Sequence, residues 1–231
     1  MRLALMTYNI RVGIETNLAH IAAAIREAGV PDVLALQEIG VNWNMGECVD
    51  QPATIAADIG LPYHTFAGAL TDTNGGQFGV ALVSRYPLSD ISVEQLPQER
   101  DEQRVLLSAR LEAPVPVRIL NTHLSIHAPE RRLQAERVGA AAAASDLPVV
   151  VLGDLNDRPE TPVINAARGA LIDCFDAVGD GPPETFSVAD PHRRIDYIFC
   201  SPGLHPIGTS RVVLNARASD HFPLIASVEC R

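Results

Sequence analysis

Short apolar runs of strand length break off at polar residues throughout this chain, and VVVLGDLND at residues 149–157 is the sharpest case. A run this apolar reads as a strand covered on both faces. Its end in Gly-Asp-Leu-Asn-Asp sets two carboxylates and an amide against that buried strand. The pattern recurs: RLALMTY stops at Asn9, DVLALQ at Glu38 and VRILNT at His123. RRIDYIF carries Asp196 inside a strand-like run, and Ser-Asp-His at 219–221 precedes the last apolar run.

Between these runs lie segments of helical period. LAHIAAAIREAG reads as a helix ending at Gly29, ATIAADIG as a short helix, PERRLQAERVGAAAAAS as a helix with proline near its start, and TPVINAARGALI as another. The five-alanine run is a small-residue helix face lying close to a sheet. YHTFAGAL, FGVALVSRY and ISVEQLP are shorter and more alternating, as antiparallel strands are; RVLLSARLE and VPVRILNTHLS flank a turn, and SRVVLNA and PLIASVEC close the chain. Two such halves, with no low-complexity linker between them, predict an α/β (α+β) architecture in one domain over 1–231: two mixed sheets packed face to face and covered by helices on both outer faces.

Composition closes several routes. All 18 basic residues are arginine, so neither a Schiff-base lysine nor a phosphate-loop lysine is available. The formal charge of −10 gives no global positive field to draw in nucleic acid. The four cysteines stand far apart with no zinc-site spacing and are expected to be buried thiols. No apolar stretch approaches the ~20 residues of a membrane span, and the first ten residues hold too short an apolar region for a signal peptide. A cytoplasmic monomer is the expectation.

Taken singly, each strand-end residue has an ordinary explanation. Asn9 and the GDLND segment can be turn formers, Glu38 a solvated strand end, His123 a half-buried histidine, and Asp220-His221 a surface turn. Asp196 is harder to dismiss, because aspartate disfavours strands and a buried carboxylate needs a partner. Together they are carboxylates and amides suited to Mg²⁺, a hard cation that prefers oxygen, with two histidines able to move protons near neutral pH. Ligands of open α/β sheets bind beyond the carboxyl ends of strands, where these residues can converge. Competing motifs are missing: no Gly-x-Ser-x-Gly, no Cys-x5-Arg, no Walker A and no His-Glu-x-x-His. GDLND also fits one element of the dinuclear metallophosphoesterases, but the early Asp-x-His and later Gly-Asn-His of those enzymes do not occur.

With these residues in view, the chain resembles the endonuclease/exonuclease/phosphatase superfamily, of DNase I-like fold. The resemblance rests on TYNIR (7–11), LQE (36–38), FGVALVSRYPL (78–88), NTHL (121–124), GDLND (153–157), RIDYIF (194–199) and SDHFPL (219–224), in the family's order. It implies a four-layer αββα sandwich and a metal-dependent phosphoric ester hydrolase. Glu38 would be the main metal carboxylate, with Asn9 and Asp220 close to the same Mg²⁺, for which Mn²⁺ can substitute. Asp154 would position or deprotonate the attacking water, and Asn156 would hold a phosphate oxygen. Asp196 would orient His221 to act as base or to stabilise charge on the phosphate. His123 would sit on the leaving-group or phosphate side.

The resemblance fixes the reaction class better than the substrate, which loops such as 40–52, 68–77, 94–103, 126–130 and 180–192 would select. The expected substrate is a small phosphodiester or phosphomonoester. A Mg²⁺-dependent nuclease is the alternative; nucleic acid is possible but disfavoured by the net charge. Only 5% of residues are aromatic, which supports neither membrane insertion nor a base-stacking platform. A binding protein that had lost catalysis would lack Glu38, Asp154 or His221, and all are present. Arg85, Arg104 and Arg158 are possible phosphate contacts, but surface ion pairs explain them as well, and they are left out of the candidate site.

Overall fold

The computed structural model describes residues 1–230. In chain order its elements are β1 (Arg2–Asn9), α1 (Leu18–Ala28), β2 (Val33–Val41), α2 (Gln51–Ile59), β3 (Tyr63–Thr71), β4 (Gln77–Ser84), β5 (Leu88–Gln95), β6 (Val105–Leu111), β7 (Val117–His123), α3 (Ala128–Ala143), β8 (Val149–Asp154), α4 (Pro162–Arg168), β9 (Ile172–Asp173), α5 (Cys174–Val178), β10 (Asp196–Cys200), β11 (Leu204–Val212) and β12 (Leu224–Cys230).

The strands form two six-stranded sheets, ordered β11-β12-β1-β2-β4-β3 and β5-β6-β7-β8-β10-β9. Each sheet has one parallel pair at its centre, β1 with β2 and β7 with β8, each joined through a helix. The other neighbours are antiparallel. A parallel pair needs a crossover, and the helix supplies it while covering the outer face.

Alternation of side chains along the strands builds three cores and hence four layers. Leu3, Leu5, Val33, Ala35, Leu107, Ile119, Leu152 and Ile198 meet between the sheets. Met6, Tyr8, Leu34 and Leu36, one residue out of phase, pack against Leu18, Ile21 and Ile25 of α1 and Ile55 of α2. Leu120, Val149, Val151, Tyr197 and Phe199 do the same against Ala135 and Val138 of α3 and Ile164 of α4. The αββα sandwich expected from the sequence is what forms.

Some local readings change. The predicted TPVINAARGALI helix stops early: Gly169, at φ +52, ends α4, Ile172 enters β9, and Asp173 opens α5 by accepting from the amides of Phe175 and Asp176. β11 begins at Leu204, ahead of the predicted SRVVLNA run. The small-residue face of α3 meets α4 as well as a sheet, since a Cβ on Gly139 would lie 2.1 Å from the Ala166 carbonyl oxygen. Cys174 and Cys200 are buried thiols as expected, but Cys48 is exposed on the loop after β2 and Cys230 is only partly buried.

Candidate active site

At one end of the sandwich the core between the sheets turns from apolar to polar. Continuing the inner-face series of β1, β2 and β7 by two residues leads from Leu5, Ala35 and Ile119 to Thr7, Gln37 and Asn121. These three link the sheets: Thr7 Oγ1 donates to Gln37 Oε1 (3.2 Å), Gln37 Nε2 to Asn121 Oδ1 (2.8 Å), and Asn121 Nδ2 to the carbonyls of Leu36 (3.1 Å) and Ala81 (2.8 Å). Two residues further come Asn9 and His123, joined by Asp154 of β8 and Asp196 of β10. Register makes the cluster compact, because Asp154 stands opposite both His123 and Asp196.

Strict alternation would point Glu38 away from this cluster, towards the helices. Instead β2 shifts register against β4 between Gln37 and Ile39, and Glu38 sits at φ +49. A bulge of this kind re-aims a side chain at the cost of local strain. The carboxylate swings to Asn9, whose Nδ2 donates to Glu38 Oε1 (2.9 Å) and Asp154 Oδ2 (3.1 Å). Gly153 permits the final turn of β8: it has φ +150, and a Cβ there would lie 2.1 Å from the Thr122 carbonyl oxygen.

Glu38, His123, Asp154, Asn156, Asp220 and His221 line one cleft of about 250 Å³. Asn9 and Asp196 lie buried beneath it. His221 Nδ1 is 2.9 Å from Asp196 Oδ2, and its Nε2 is 3.6 Å from Asp154 Oδ2. Thr185 braces Asp196 by accepting from its amide (3.2 Å), while the Phe186 ring stacks at 4.8 Å, tilted, on His221.

The charges follow from these contacts. Burial pushes the His221 pKa down, but Asp196 and Asp154 outweigh it and carry it up to about 10, so the ring is an imidazolium at neutral pH. Burial and the Asp196 charge raise Asp154 to about 7, within reach of proton transfer at neutral pH. His123 is the opposite case. Burial, Arg104 and His221 hold its pKa well below 6.5. Arg104 Nη1 lies 2.9 Å from its Nδ1, and a guanidinium only donates, so Nδ1 accepts and Nε2 carries the proton. Nε2 stands 3.5 Å from Asp154 Oδ2, the nearby acceptor. Asn156 Nδ2, 3.0 Å from Nε2, gives one of its two hydrogens to the Leu124 carbonyl (2.8 Å). His123 is therefore a neutral donor.

A divalent cation fits this donor set. Burial raises the Glu38 pKa and the charge of Asp220 adds to it, so two acids share the cleft in a way that a cation between them relieves. Asp154, Asp196 and His221 also bring one ligand atom each to within 4.8 Å of one another. Asp196 there is committed to His221 through Oδ2; Glu38 and Asp220 offer the oxygens a hard cation prefers, whereas Asn9 turns its Nδ2 to Glu38 and its Oδ1 to the Arg11 amide (3.1 Å).

Arg104, set aside in the sequence, belongs to the cluster: it is buried and caps His123. Nothing in the sequence marks it, since a lone arginine before an apolar run is ordinary. Arg85 is remote, paired with Asp32 (2.7 Å) where β2 starts. Arg158 is outside the cleft, on a neighbouring groove. The Thr185–Phe186 brace also had no sequence signal.

A family model described as the Endonuclease/Exonuclease/phosphatase family matches residues 6–221. The chain belongs to this family. Among curated relatives, YbhP of Escherichia coli K12 is 28% identical over 167 residues, which is 66% of this chain and 63% of that one, so the match spans less than two thirds of YbhP. Among solved structures, an endonuclease/exonuclease/phosphatase of Beutenbergia cavernae superposes with a TM-score of 0.83 at 27% identity, covering 99% of this chain and 72% of the other. A mannosyl-6-phosphatase of Bacteroides thetaiotaomicron superposes at 0.78 with 18% identity, covering 98% and 99%. At that identity the likeness is one of fold. No helix among the described residues is long and apolar enough to cross a membrane.

Proposed function

We propose that the chain is one catalytic unit, a divalent-metal-dependent phosphoesterase that hydrolyses small phosphate esters, diesters or monoesters, by in-line attack of water. The observation that carries this reading is the geometry of His221, whose Nδ1 is held by Asp196 at 2.9 Å while its Nε2 faces Asp154 across 3.6 Å. Such a pair takes a proton on one side and stabilises negative charge on the other.

In this reading Asp154 orients the attacking water and accepts its proton as the new P–O bond forms and the ester P–O bond breaks. The His221 imidazolium stabilises charge on the phosphoryl oxygens, and Asp196 keeps it charged and aligned. His123 donates from Nε2, while Asn156 positions a phosphate oxygen at the same rim. Glu38 and Asp220 would hold Mg²⁺, or Mn²⁺ in its place, and Asn9, expected from the sequence as a third ligand, instead orients the Glu38 carboxylate through Nδ2. When bound, the cation supplies Lewis-acid polarisation of the phosphoryl group and neutralises its charge. Positioning and charge stabilisation are most of what phosphoryl transfer asks of a protein.

Small esters are favoured over duplex DNA on charge. A duplex needs several phosphates neutralised at once, and here 28 acids outnumber 18 arginines, with the densest basic pairs at 131–132 and 193–194. Arg131 is occupied by Asp157, Arg132 by Glu136 and Arg194 by Asp173 and Asp176, so that of these four Arg193 alone carries its charge into the cleft. The mannosyl-6-phosphatase of the same fold supports the view that this scaffold accommodates a small phosphomonoester. Matched assays at low salt with Mg²⁺ test the reading: kcat/KM for small esters should exceed that for duplex and single-stranded DNA. The reverse order, with a steep fall on adding salt, would replace it with a nuclease.

A further inference from the structure

Beside the cleft lies a second hollow of about 190 Å³ that shares Glu38, Arg104 and His123 with it. Its remaining walls are six apolar residues, Val12, Ile14, Trp43, Met45, Leu70 and Phe78, with Arg11 and Glu102 beside them. The Trp43 and Phe78 rings, 5.6 Å apart and tilted by 38°, form its aromatic corner. Ile14 and Met45 are 41% and 49% exposed, so an apolar surface faces solvent beside a cluster of acids and a guanidinium.

The hollow is built rigidly. Gln51, fully buried at the start of α2, donates to the carbonyls of Val12 and Glu47 (both 3.1 Å) and accepts from the Gly40 amide (2.9 Å), fastening three segments together. Glu47 also accepts from the Leu18 amide (2.8 Å) and ties the loop to α1. Glycine is required where the loop closes on its neighbours. A Cβ on Gly40 would lie 2.6 Å from that of Trp43, and one on Gly46, at φ +70, would lie 2.0 Å from the Val12 carbonyl oxygen. A preformed apolar wall continuous with a reactive cleft orders little on binding, which favours affinity.

We infer that this hollow receives the organic group of the ester and selects an apolar ring, or a branched alkyl group of similar size, over a methyl group or a sugar. The inference rests on the phosphoesterase reading above and names its substrate class. The space suits one ring, since an apolar cavity of ~150 Å³ accommodates benzene. Beside its six apolar residues the arginines of the lining are already paired, Arg11 with Glu15 and Asp220 and Arg104 with Glu102 and His123, so a sugar's hydroxyls would lose water for few free partners.

The test compares kcat/KM for benzyl phosphate, methyl phosphate and a hexose 6-phosphate, and for the diesters methyl benzyl phosphate and dimethyl phosphate. Benzyl alcohol and methanol are of similar acidity, so the benzyl-to-methyl ratio reports the pocket rather than the leaving group. The ratio should be on the order of 100-fold. Trp43→Ser, or Met45→Ser on the exposed rim, should lower it at least about tenfold. Trp43 is the sole tryptophan, so its emission gives a second readout that needs no turnover. Benzylphosphonate, whose P–C bond is not hydrolysed, should shift that emission where methylphosphonate does not. A ratio near one, a ratio unchanged in both variants, or preference for the hexose phosphate would overturn the subsite and leave the phosphoesterase reading standing. Hydrolysis of none of these esters would defeat that reading instead. The emission titration then decides the subsite: a response selective for benzylphosphonate upholds it, and an equal or absent response overturns it.

Discussion

His123 owes its charge state to a neighbour that can only donate. Replacing Arg104 with methionine keeps much of the packing but removes the donor at Nδ1 and the positive charge beside the ring. The His123 pKa should then rise towards the ordinary value of about 6.5, and the fixed tautomer should be lost. NMR titration of the metal-free protein reads both, and a His123 that still resists protonation would show that burial alone sets its state. His221 is the complementary case. Asp196→Asn and His221→Ala should each cost about 10²–10⁴ in kcat, the range of positioned acid–base groups, and the double variant little more than either. Cleanly additive losses would separate the two residues. Among the candidate residues, Asn9, Asp154 and Asp196 were visible in the sequence because a polar side chain at the end of, or within, a buried strand must be accounted for. Arg104 was not, because its partner lies across the strand pair β6–β7 and its own flanks are unremarkable.

At the scale of elements, what the sequence conceals is where backbone geometry departs from the regular strand. Glu38 was legible as a residue, but the bulge that turns it to the cleft was not, since Leu-Gln-Glu carries no glycine to announce a positive φ. Gly153 is the reverse, a glycine whose need only the Thr122 carbonyl explains. Gly153→Ala should destabilise the protein by at least ~1–3 kcal/mol in thermal unfolding, as overpacking does, and displace Asp154 with β8. The segment leading to β6 rests on Asp101, which accepts from Ser125 Oγ (2.5 Å) and the Ile126 amide (3.0 Å). Burial pushes the Asp101 pKa up, but these bonds, the Glu102 amide and the Arg104 charge outweigh it and hold it below the usual value. The stabilisation is therefore present above the ordinary carboxylate pKa of about 3.9 and is lost as pH falls through the lower folded value. Asp101→Asn should flatten the acid limb of the stability curve; an unchanged limb would remove Asp101 from that role.

For the molecule as a whole, two helix-covered sheets were legible because apolar runs and helical segments alternate through both halves, each with its own crossover helix. The polar bridge between the sheets was not, since Thr7, Gln37 and Asn121 look like ordinary interruptions of apolar strands. Asn121→Leu should cost several kcal/mol, because it strands the Gln37 amide and the Leu36 and Ala81 carbonyls, each worth roughly 1–3 kcal/mol when left unpaired. Denaturant unfolding checks this, and a loss below about 1 kcal/mol would mean that water replaces the bridge. The bridge lies directly under the cleft, so the same packing that joins the sheets fixes the strand ends on which the proposed chemistry depends. The most direct measurement is phosphate-ester hydrolysis by the intact protein before and after exhaustive chelation, with Mg²⁺ then restored, in wild type and in Glu38→Ala. The account predicts activity that disappears on chelation and returns with Mg²⁺ in the wild type, and a folded Glu38→Ala protein in which metal binding and turnover fall together. Full activity in the chelated protein, or Mg²⁺-dependent turnover undiminished in Glu38→Ala, would contradict it.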